Sequence, residues 1–463
     1  MKGGRTTVAE KILTNEAQHA VILHSLQNEN LQEFRKNFLD LHPYDQASFF
    51  KEMEIEERAQ VFEYLAPNEI AEMFENLQMD NWEYQTLFAK LLPDYVAETL
   101  ANMSVDDAVD ILNVLDKEQV ESYLAIMDQP TAARVKALMH YEESTAGSIM
   151  TVDYISLSAE QTVETAMEIL KREAPNAETI YYVYVVNEQK QLVGVVSLRS
   201  LIVSDNQMLI KEIMNDRIYS VSVSEDQEEV ARKMQDYDFL ALPVVDFQKR
   251  LLGIITIDDI VDVMQEEASE DYSKFAAVSN MDFVDQHPFS AAKKRLPWLI
   301  ILLFLGMFTA SLIGRFEKTL DQVAILAVFI PLIAGMAGNT GTQALAVAVR
   351  GIATGNIGKE SSWKLIGREA GTGLITGTIC GLLVMMVVYI WKSDFFLGML
   401  VGISILGTLI VATIAGAIIP LIMHKFKIDP AVASGPFITT INDIISILIY
   451  FGMATMFMSY LTN

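Results

Sequence analysis

Three groups of residues in this chain have the types and spacing to do chemistry, and two of them are carboxylates suited to meeting cations. The first is a single carboxylate, Asp443, inside the apolar stretch SGPFITTINDIISILIYFG, which Gly435 and Pro436 open. A charged side chain in mid-membrane costs at least a few kcal/mol (~2.5 or more) unless it is solvated or paired. No Lys or Arg lies in the apolar interiors to pair with it. It is either a structural hydrogen-bonding group or, the reading favoured here, the carboxylate a cation meets in a water-filled path. The second group is the run GMAGNTGTQ, where Asn339, Thr340, Thr342 and Gln343 put polar groups into the middle of an apolar stretch. Exposed to lipid they would be expensive, so they are expected to line a cavity or a helix contact. The third is the carboxylate run Asp258, Asp259, Asp262, Glu266, Glu267, Glu270 and Asp271. Its members recur at i+3 and i+4, so they stack as a stripe on one helix and repel one another. An isolated run of this kind reads as a solvated face. In a chain this acidic, hard divalent cations with oxygen ligands are the natural neutraliser.

Hydrolytic chemistry is not indicated. No nucleophile, base and orienting group share a motif, no Walker-type loop is present, and His19, His24, His42, His140, His287 and His424 are scattered as surface or turn residues. The only cysteine, Cys380, lies in an apolar run, so an internal disulfide or a thiolate zinc site is excluded.

The elements that must position these residues come from two different polymers. The 463 residues carry a net charge of −26. Up to Ala292 there are 22 basic and 53 acidic residues; from Lys293 onward there are 12 and 7, among long apolar runs. A large acidic soluble region is therefore fused to a membrane domain. Its surface would repel phosphates, which argues against nucleic-acid binding. The N-terminus MKGGRTTVAEKILTNEAQ has no apolar signal-like core, so secretion is not expected.

Five apolar segments follow, at about 297–313, 323–349, 372–391, 395–423 and 431–460. Each is long enough to cross the hydrocarbon layer. Nine basic residues flank them on the side bearing the acidic region and three on the other. By the positive-inside rule the acidic region is cytosolic and the C-terminus faces out. An odd number of crossings without an inverted repeat is compatible with a pore between identical subunits. The glycine run GTGLITGTICG (371–381) reads as close helix packing.

Two repeats organise the acidic region. From Leu41, units of twelve residues (one of fourteen) run to Leu138, each opening with an apolar residue, then Pro or acids, then an apolar pair. Each makes one short helix and a turn, stacked as a solenoid. A second duplication follows, SIMTVDYISLS…LVGVVSLRSLI and EIMNDRIYSVS…LLGIITIDDIV, with Gly194 matching Gly253. This pair resembles tandem CBS modules, regulatory β-α-β units that often bind adenine nucleotides. The ribose-binding Asp of such modules is matched by Asp259 in the second copy, but the first has Ser200. Tyr182, Arg199 and Phe239 are candidate contacts for ATP, with ordinary core packing the alternative for the two aromatics.

The fold class is therefore multidomain: an all-α acidic solenoid (1–142), an α/β tandem CBS pair (143–267, dividing near 205), a connecting plug helix (268–292) and a five-helix transmembrane domain (293–463). With PLIAGMAGNTGTQ, DPAVASGPFITTINDIISILIY, IITIDDIVDVMQEEASED and AETIYYVYVV, nearly the whole chain resembles the MgtE family of magnesium channels. The resemblance implies a plasma-membrane homodimer, with a pore between the two membrane domains lined by the second and fifth helices. Asp443 then matches the carboxylate that meets hydrated Mg2+ in the pore. The pore-lining positions are Asn339, Thr340, Thr342, Gln343, Gly435 and Pro436, with Gly435 standing where the best-known pattern has Asn. The implied cytosolic Mg2+ sensor comprises Asp259, Asp262, Glu267, Glu270, Asp271, Asp106 and Asp110, with Glu72 a looser match. Mg2+ bound there closes the pore. Two alternatives keep their place: the same architecture carrying Co2+ or Mn2+, and a non-conducting scaffold whose CBS pair senses nucleotide.

Overall fold

The computed structural model describes residues 8–77, 79, 81–278, 288–354 and 359–461. It forms two compact units, Met1–Val263 and Met264–Asn463.

The first unit begins with ten helices: α1 (Val8–Gln27), α2 (Leu31–Leu39), α3 (Pro43–Glu52), α4 (Ile55–Tyr64), α5 (Pro67–Glu75), α6 (Asn81–Phe88), α7 (Pro93–Ala101), α8 (Val105–Asn113), α9 (Lys117–Ile126) and α10 (Gln129–Leu138). From α3 on, each helix corresponds to one sequence repeat. Proline in the first turn starts α3, α5, α7 and α10, where its missing N–H costs nothing. Alternate helices stack, α5 between α3 and α7, and α7 against α9. The apolar positions of the repeats become a spine of rings, with centroids 5.5 Å apart for Phe50 and Phe62, 6.1 Å for Phe62 and Phe74, and 5.8 Å for Phe74 and Phe88.

The duplicated part folds as β1 (Ser156–Ser158), α11 (Val163–Glu173), β2 (Tyr182–Val186), β3 (Leu192–Ser197), α12 (Leu198–Val203) and α13 (Ile210–Ile213), then β4 (Val221–Ser222), α14 (Gln227–Tyr237), β5 (Ala241–Val245), β6 (Leu251–Thr256) and α15 (Ile257–Phe275). Two three-stranded sheets result, β1-β2-β3 and β4-β5-β6. The copies exchange their opening segments: Thr151 of the first bridges Ile254 on β6, and Asn215 of the second bridges Val195 on β3. That explains the matched glycines. A Cβ on Gly253 would lie 2.6 Å from the Thr151 carbonyl oxygen, and one on Gly194 would lie 2.4 Å from the Met214 sulfur.

The second unit continues from the end of α15 through α16 (Pro288–Gly314), α17 (Glu317–Gln322), α18 (Ile330–Ala353), α19 (Lys359–Lys392), α20 (Phe395–Lys425), α21 (Gly435–Met456) and α22 (Met458–Leu461). Five spans among these are long and apolar enough to cross a membrane: Ala291–Gly314, Ala324–Ala353, Ser362–Lys392, Phe395–Lys425 and Gly435–Met456. The expected connecting segment, 268–292, is not one separate helix. Its first residues continue α15, which ends at Phe275 before Ala277 turns to φ 56°, and its last belong to α16. Residues 279–287 of that expected segment lie outside the described residues. The glycine run 371–381 packs α19 on α20: a Cβ on Gly381 would meet the Gly402 carbonyl oxygen at 2.5 Å, and one on Gly377 the Leu406 carbonyl oxygen at 3.0 Å.

Phe74 sits in the middle of the ring spine and is only 2% exposed. Phe74→Ala should lower the stability of the helical stack by about 3–5 kcal/mol through lost burial and a cavity. Trp82→Ala, at a side chain 70% exposed, should change it by less than about 0.5 kcal/mol. Chemical denaturation of the two variants checks the contrast.

Candidate cation sites

The first-unit site assembles at the N-terminus of α8. Acids in a first helical turn suit the unpaired N–H groups there, and α8 carries Asp106 and Asp107 in its first turn, followed by Asp110. Ser104, just before the helix, draws two other segments in. Its N–H donates to Glu75 Oε1 of α5 at 2.7 Å, and its hydroxyl donates to Glu178 Oε2, in the loop before β2, at 3.4 Å. Asp259 comes from the start of α15, where its Oδ2 accepts from the Thr256 hydroxyl at 2.5 Å and from the Thr256 N–H at 3.3 Å.

These carboxylates act on each other. Burial and then the Asp259 charge hold Asp106 well above the usual carboxylate range. Burial, followed by Asp106, Glu75, Asp259 and Asp110, pushes Asp107 up to about 9. Its surroundings, with Asp259, Asp258, Glu75 and Asp153, push Glu178 up to about 7. Burial raises Asp259 to about 6 against the opposing Thr256 bond, with Asp258 and Asp262 adding to the rise. Asp106 Oδ1 is buried without a hydrogen-bond partner. Among the described residues, no three acidic, histidine or cysteine side chains close into a direct metal cage. The donor set is all oxygen, the ligand chemistry of hard divalent ions, and its members must lose their protons before they can act as ligands.

Asp106, Asp110, Asp259 and Asp262 thus share one electrostatic field. Glu72 is exposed, and it is Glu75, one turn further along α5, that reaches Ser104. Asp107, Glu75 and Glu178 escaped the sequence reading. Asp107 adjoins a chosen residue, but nothing in the spacing singles out Glu178, which only the fold brings to α8.

The remaining predicted carboxylates fall elsewhere. Glu270 and Asp271 lie toward the end of α15 in the second unit, Glu267 one turn earlier. Lys274 bonds Glu270 and lies 2.5 Å from Asp429, in the loop between α20 and α21. Burial opposes its charge, yet the bonds to Asp429 and Glu270 leave its pKa raised. Burial and Asp429 raise that of Asp271.

The nucleotide candidates have different surroundings. Tyr182 packs with the cluster of Tyr184, Leu251 and Ile254. Phe239 belongs to an aromatic trio, 5.6 Å from both Tyr219 and Tyr237. Arg199 is exposed on α12, where the Ser197 hydroxyl accepts from the Ser200 N–H at 3.0 Å; at the matching positions of the second copy the sense is reversed, Asp259 accepting from Thr256.

In the membrane unit, α18 and α21 meet along the small residues of GNTGTQ. A Cβ on Gly338 would lie 2.6 Å from Thr439 Cγ2, and one on Gly341 would lie 1.8 Å from Asn442 Nδ2. The Thr342 and Thr439 hydroxyls are 3.3 Å apart, and the Thr340 hydroxyl donates to the Met336 carbonyl. Asn339 and Gln343, four residues apart, are exposed on another face of α18. Asp443 is half-buried, and among the described residues no side chain bonds its carboxylate. Gly435 and Pro436 border a groove shared with Tyr272, Phe275, Thr342 and Thr440.

Comparison with known proteins matches the MgtE divalent cation transporter model to residues 330–453, the MgtE intracellular N domain to 41–144, and CBS domains to 146–204 and 210–266. The chain is 50% identical over 445 residues to the magnesium transporter MgtE of Enterococcus faecalis, covering 96% of this chain and 98% of that one. It is 37% identical over 435 residues to MgtE of Thermus thermophilus, covering 93% and 96%. Two crystal structures resemble its soluble part. The soluble part of a magnesium transporter has 48% identity and a TM-score of 0.53, covering 55% of this chain and 99% of that one. The cytosolic domain of the Mg2+ channel MgtE in complex with ATP has 39% identity and a TM-score of 0.51, covering 53% and 99%.

The shifted carboxylates set a pH dependence. Free carboxyls titrate near pH ~4, so the folded chain holds the protons of Asp259, Glu178 and Asp107 more tightly than the unfolded chain. Their contribution to stability is complete below that pH and is lost as pH rises through about 6, 7 and 9. In chelator, hydrogen exchange across α8 should therefore accelerate beyond its intrinsic rise from about pH 5 to about pH 9. Added Mg2+ should protect α8 more at about pH 8 than at about pH 6, because ion ligands must be deprotonated.

Proposed function

The chain belongs to the MgtE family of magnesium transporters, and from that premise we propose that it is a Mg2+-selective channel of the plasma membrane, closed from the cytosol by Mg2+ acting on its acidic N-terminal and CBS domains. The observation that carries this reading is the Asp443 carboxylate: half-buried, on an apolar spanning helix, with no bonding side chain among the described residues. A structural Asp would be spent on hydrogen bonds. An unbonded one in a membrane needs water and a cation, and Mg2+, which sheds water reluctantly, suits a site that contacts its shell through one or two carboxylates.

The polar face of α18 supports a dimer. Asn339 and Gln343 are exposed on a membrane-spanning helix, and a second membrane domain together with water, not lipid, is the fitting cover. The pore then runs between two subunits, lined by the second and fifth spans, with Gly435, Pro436, Thr340 and Thr342 toward its walls. The excess of basic residues puts the acidic domains in the cytosol and the C-terminus outside.

Closure rests on the carboxylates. Asp106, Asp107, Asp259 and Glu178 repel one another when ionised, so α8, the Glu178 loop and the start of α15 stay together at a cost. Mg2+ held by these residues would supply the missing positive charge. An ion that binds the gathered arrangement better shifts the population toward it. α15 continues to Tyr272 and Phe275, which border the groove at Gly435 and Pro436. The CBS pair also takes ATP, through Tyr182, Arg199 and Phe239, as a modulator.

Recording from reconstituted protein with Mg2+ as the only permeant cation tests both halves. Wild type should close as cytosolic Mg2+ rises, and Asp443→Ala should carry no current. Asp106→Asn combined with Asp259→Asn should raise the half-closing concentration by about tenfold, within the usual range of coupling between sites. Currents indifferent to cytosolic Mg2+ would defeat the sensor and spare the pore. Equal Co2+ or Mn2+ currents would defeat the Mg2+ assignment.

A further inference from the structure

The carboxylates at the end of α15 already have a cation of the chain's own. Lys274 Nζ lies 2.5 Å from Asp429 Oδ2 and also bonds Glu270. Glu270 is on the same helix, one turn back, so that bond survives any movement of the helix. The Asp429 bond does not, because Asp429 lies 155 residues away in sequence, in the loop that leads into α21. We propose that Lys274 is a tethered cation that latches the end of α15 to the α20–α21 loop, positioning Phe275 beside Gly435 before any metal binds. The inference rests on the reading of α15 as the gating element.

The surroundings fit a latch. Lys274 is followed directly by Phe275, the last residue of α15, and the backbone turns at Ala277. The Phe275 carbonyl oxygen lies 3.6 Å from where a Cβ on Gly435 would stand, so main chain reaches the opening of α21. Asp429 immediately precedes the 3-10 turn Pro430–Val432, and Gly435 follows shortly after. Fixing Asp429 therefore fixes a point close to the start of the helix that bears Asp443. The Lys274 and Asp429 side chains are 31% and 35% exposed, so solvent screens the pair only in part.

The charge balance gives the latch its role. The Lys274 ammonium sits among the carboxylates of Glu270, Asp271 and Asp429 and neutralises part of their charge. Lys274 thus sets how far α15 docks without divalent ions, and added Mg2+ completes the docking. Without Lys274, docking would depend more strongly on the divalent ion. Lys274 is a positioning residue: it acts through Phe275 and α21, and does not touch the permeating ion.

The test reads docking directly, so it does not depend on conduction. In full-length protein with Cys380→Ala, cysteines at Ala276 and Thr440, which border one groove, report docking by their disulfide cross-linking rate in chelator. Lys274→Gln should slow cross-linking by about fivefold, the scale of one partly exposed ion pair, and saturating Mg2+ should restore it. Lys274→Arg should retain the wild-type rate, and Lys274→Asp with Asp429→Lys should recover most of it. A Lys274→Gln rate equal to wild type in chelator would overturn the latch. So would equal slowing by Gln and Arg, or a charge swap no faster than Lys274→Asp alone. If cross-linking follows the latch while Mg2+ current is absent, the channel reading fails and the latch stands.

Discussion

Repulsion between carboxylates is the interaction on which the rest of this structure depends. At the N-terminus of α8, side chains from three separate segments are brought beside Asp106 and Asp107, and the charges that act on them are mainly those of other acids. A fold does not gather acids in this way for stability, since each ionised member raises the cost of ionising the next. The cost is tolerable where protons or a cation occupy the site. That makes the arrangement responsive to the supply of cations, and it gives a physical basis for a sensor built without a closed cage.

The helix α15 carries carboxylates at both of its ends. At its start, Asp259 is tied to Thr256 as a helix cap, so the same carboxylate that faces α8 also fixes where the helix begins. At its end, Glu270, Asp271 and Lys274 meet Asp429, and Phe275 meets the opening of α21. Both ends of α15 carry charges whose partners lie on other elements.

In the membrane unit, glycine decides where polar groups can sit. Gly338 and Gly341 let α18 approach α21 closely enough for the Thr342 and Thr439 hydroxyls to meet. Asn442 is buried against Gly341 with neither side-chain atom bonded among the described residues. Its neighbour Asp443 is left unbonded and only half-buried. Adjacent residues on one helix thus take opposite environments: Asn442 faces the glycine contact and Asp443 a different direction.

Much of this was legible in the sequence because it depends on periodicity and on solvent. Twelve-residue spacing with Pro or acids at each start determines a helix and a turn per repeat, since Pro and first-turn acids act within a few residues. Apolar length determines the five spans, and a lone carboxylate within one of them marks a place that needs water. The duplicated segments determined the two sheets, but not that each copy would send its opening segment to the other, because a bridge such as Thr151 to Ile254 involves residues about a hundred positions apart. Glu178 and Glu75 were invisible for the same reason: each is an ordinary acid until the loop before β2 and the end of α5 close on Ser104. The acidic run on α15 looked like one site, yet tertiary contacts divide it, giving Asp259 to α8 and Asp271 to Asp429. A helix fixes which of its own residues share a face, whereas the partner that face meets is chosen by packing between distant segments.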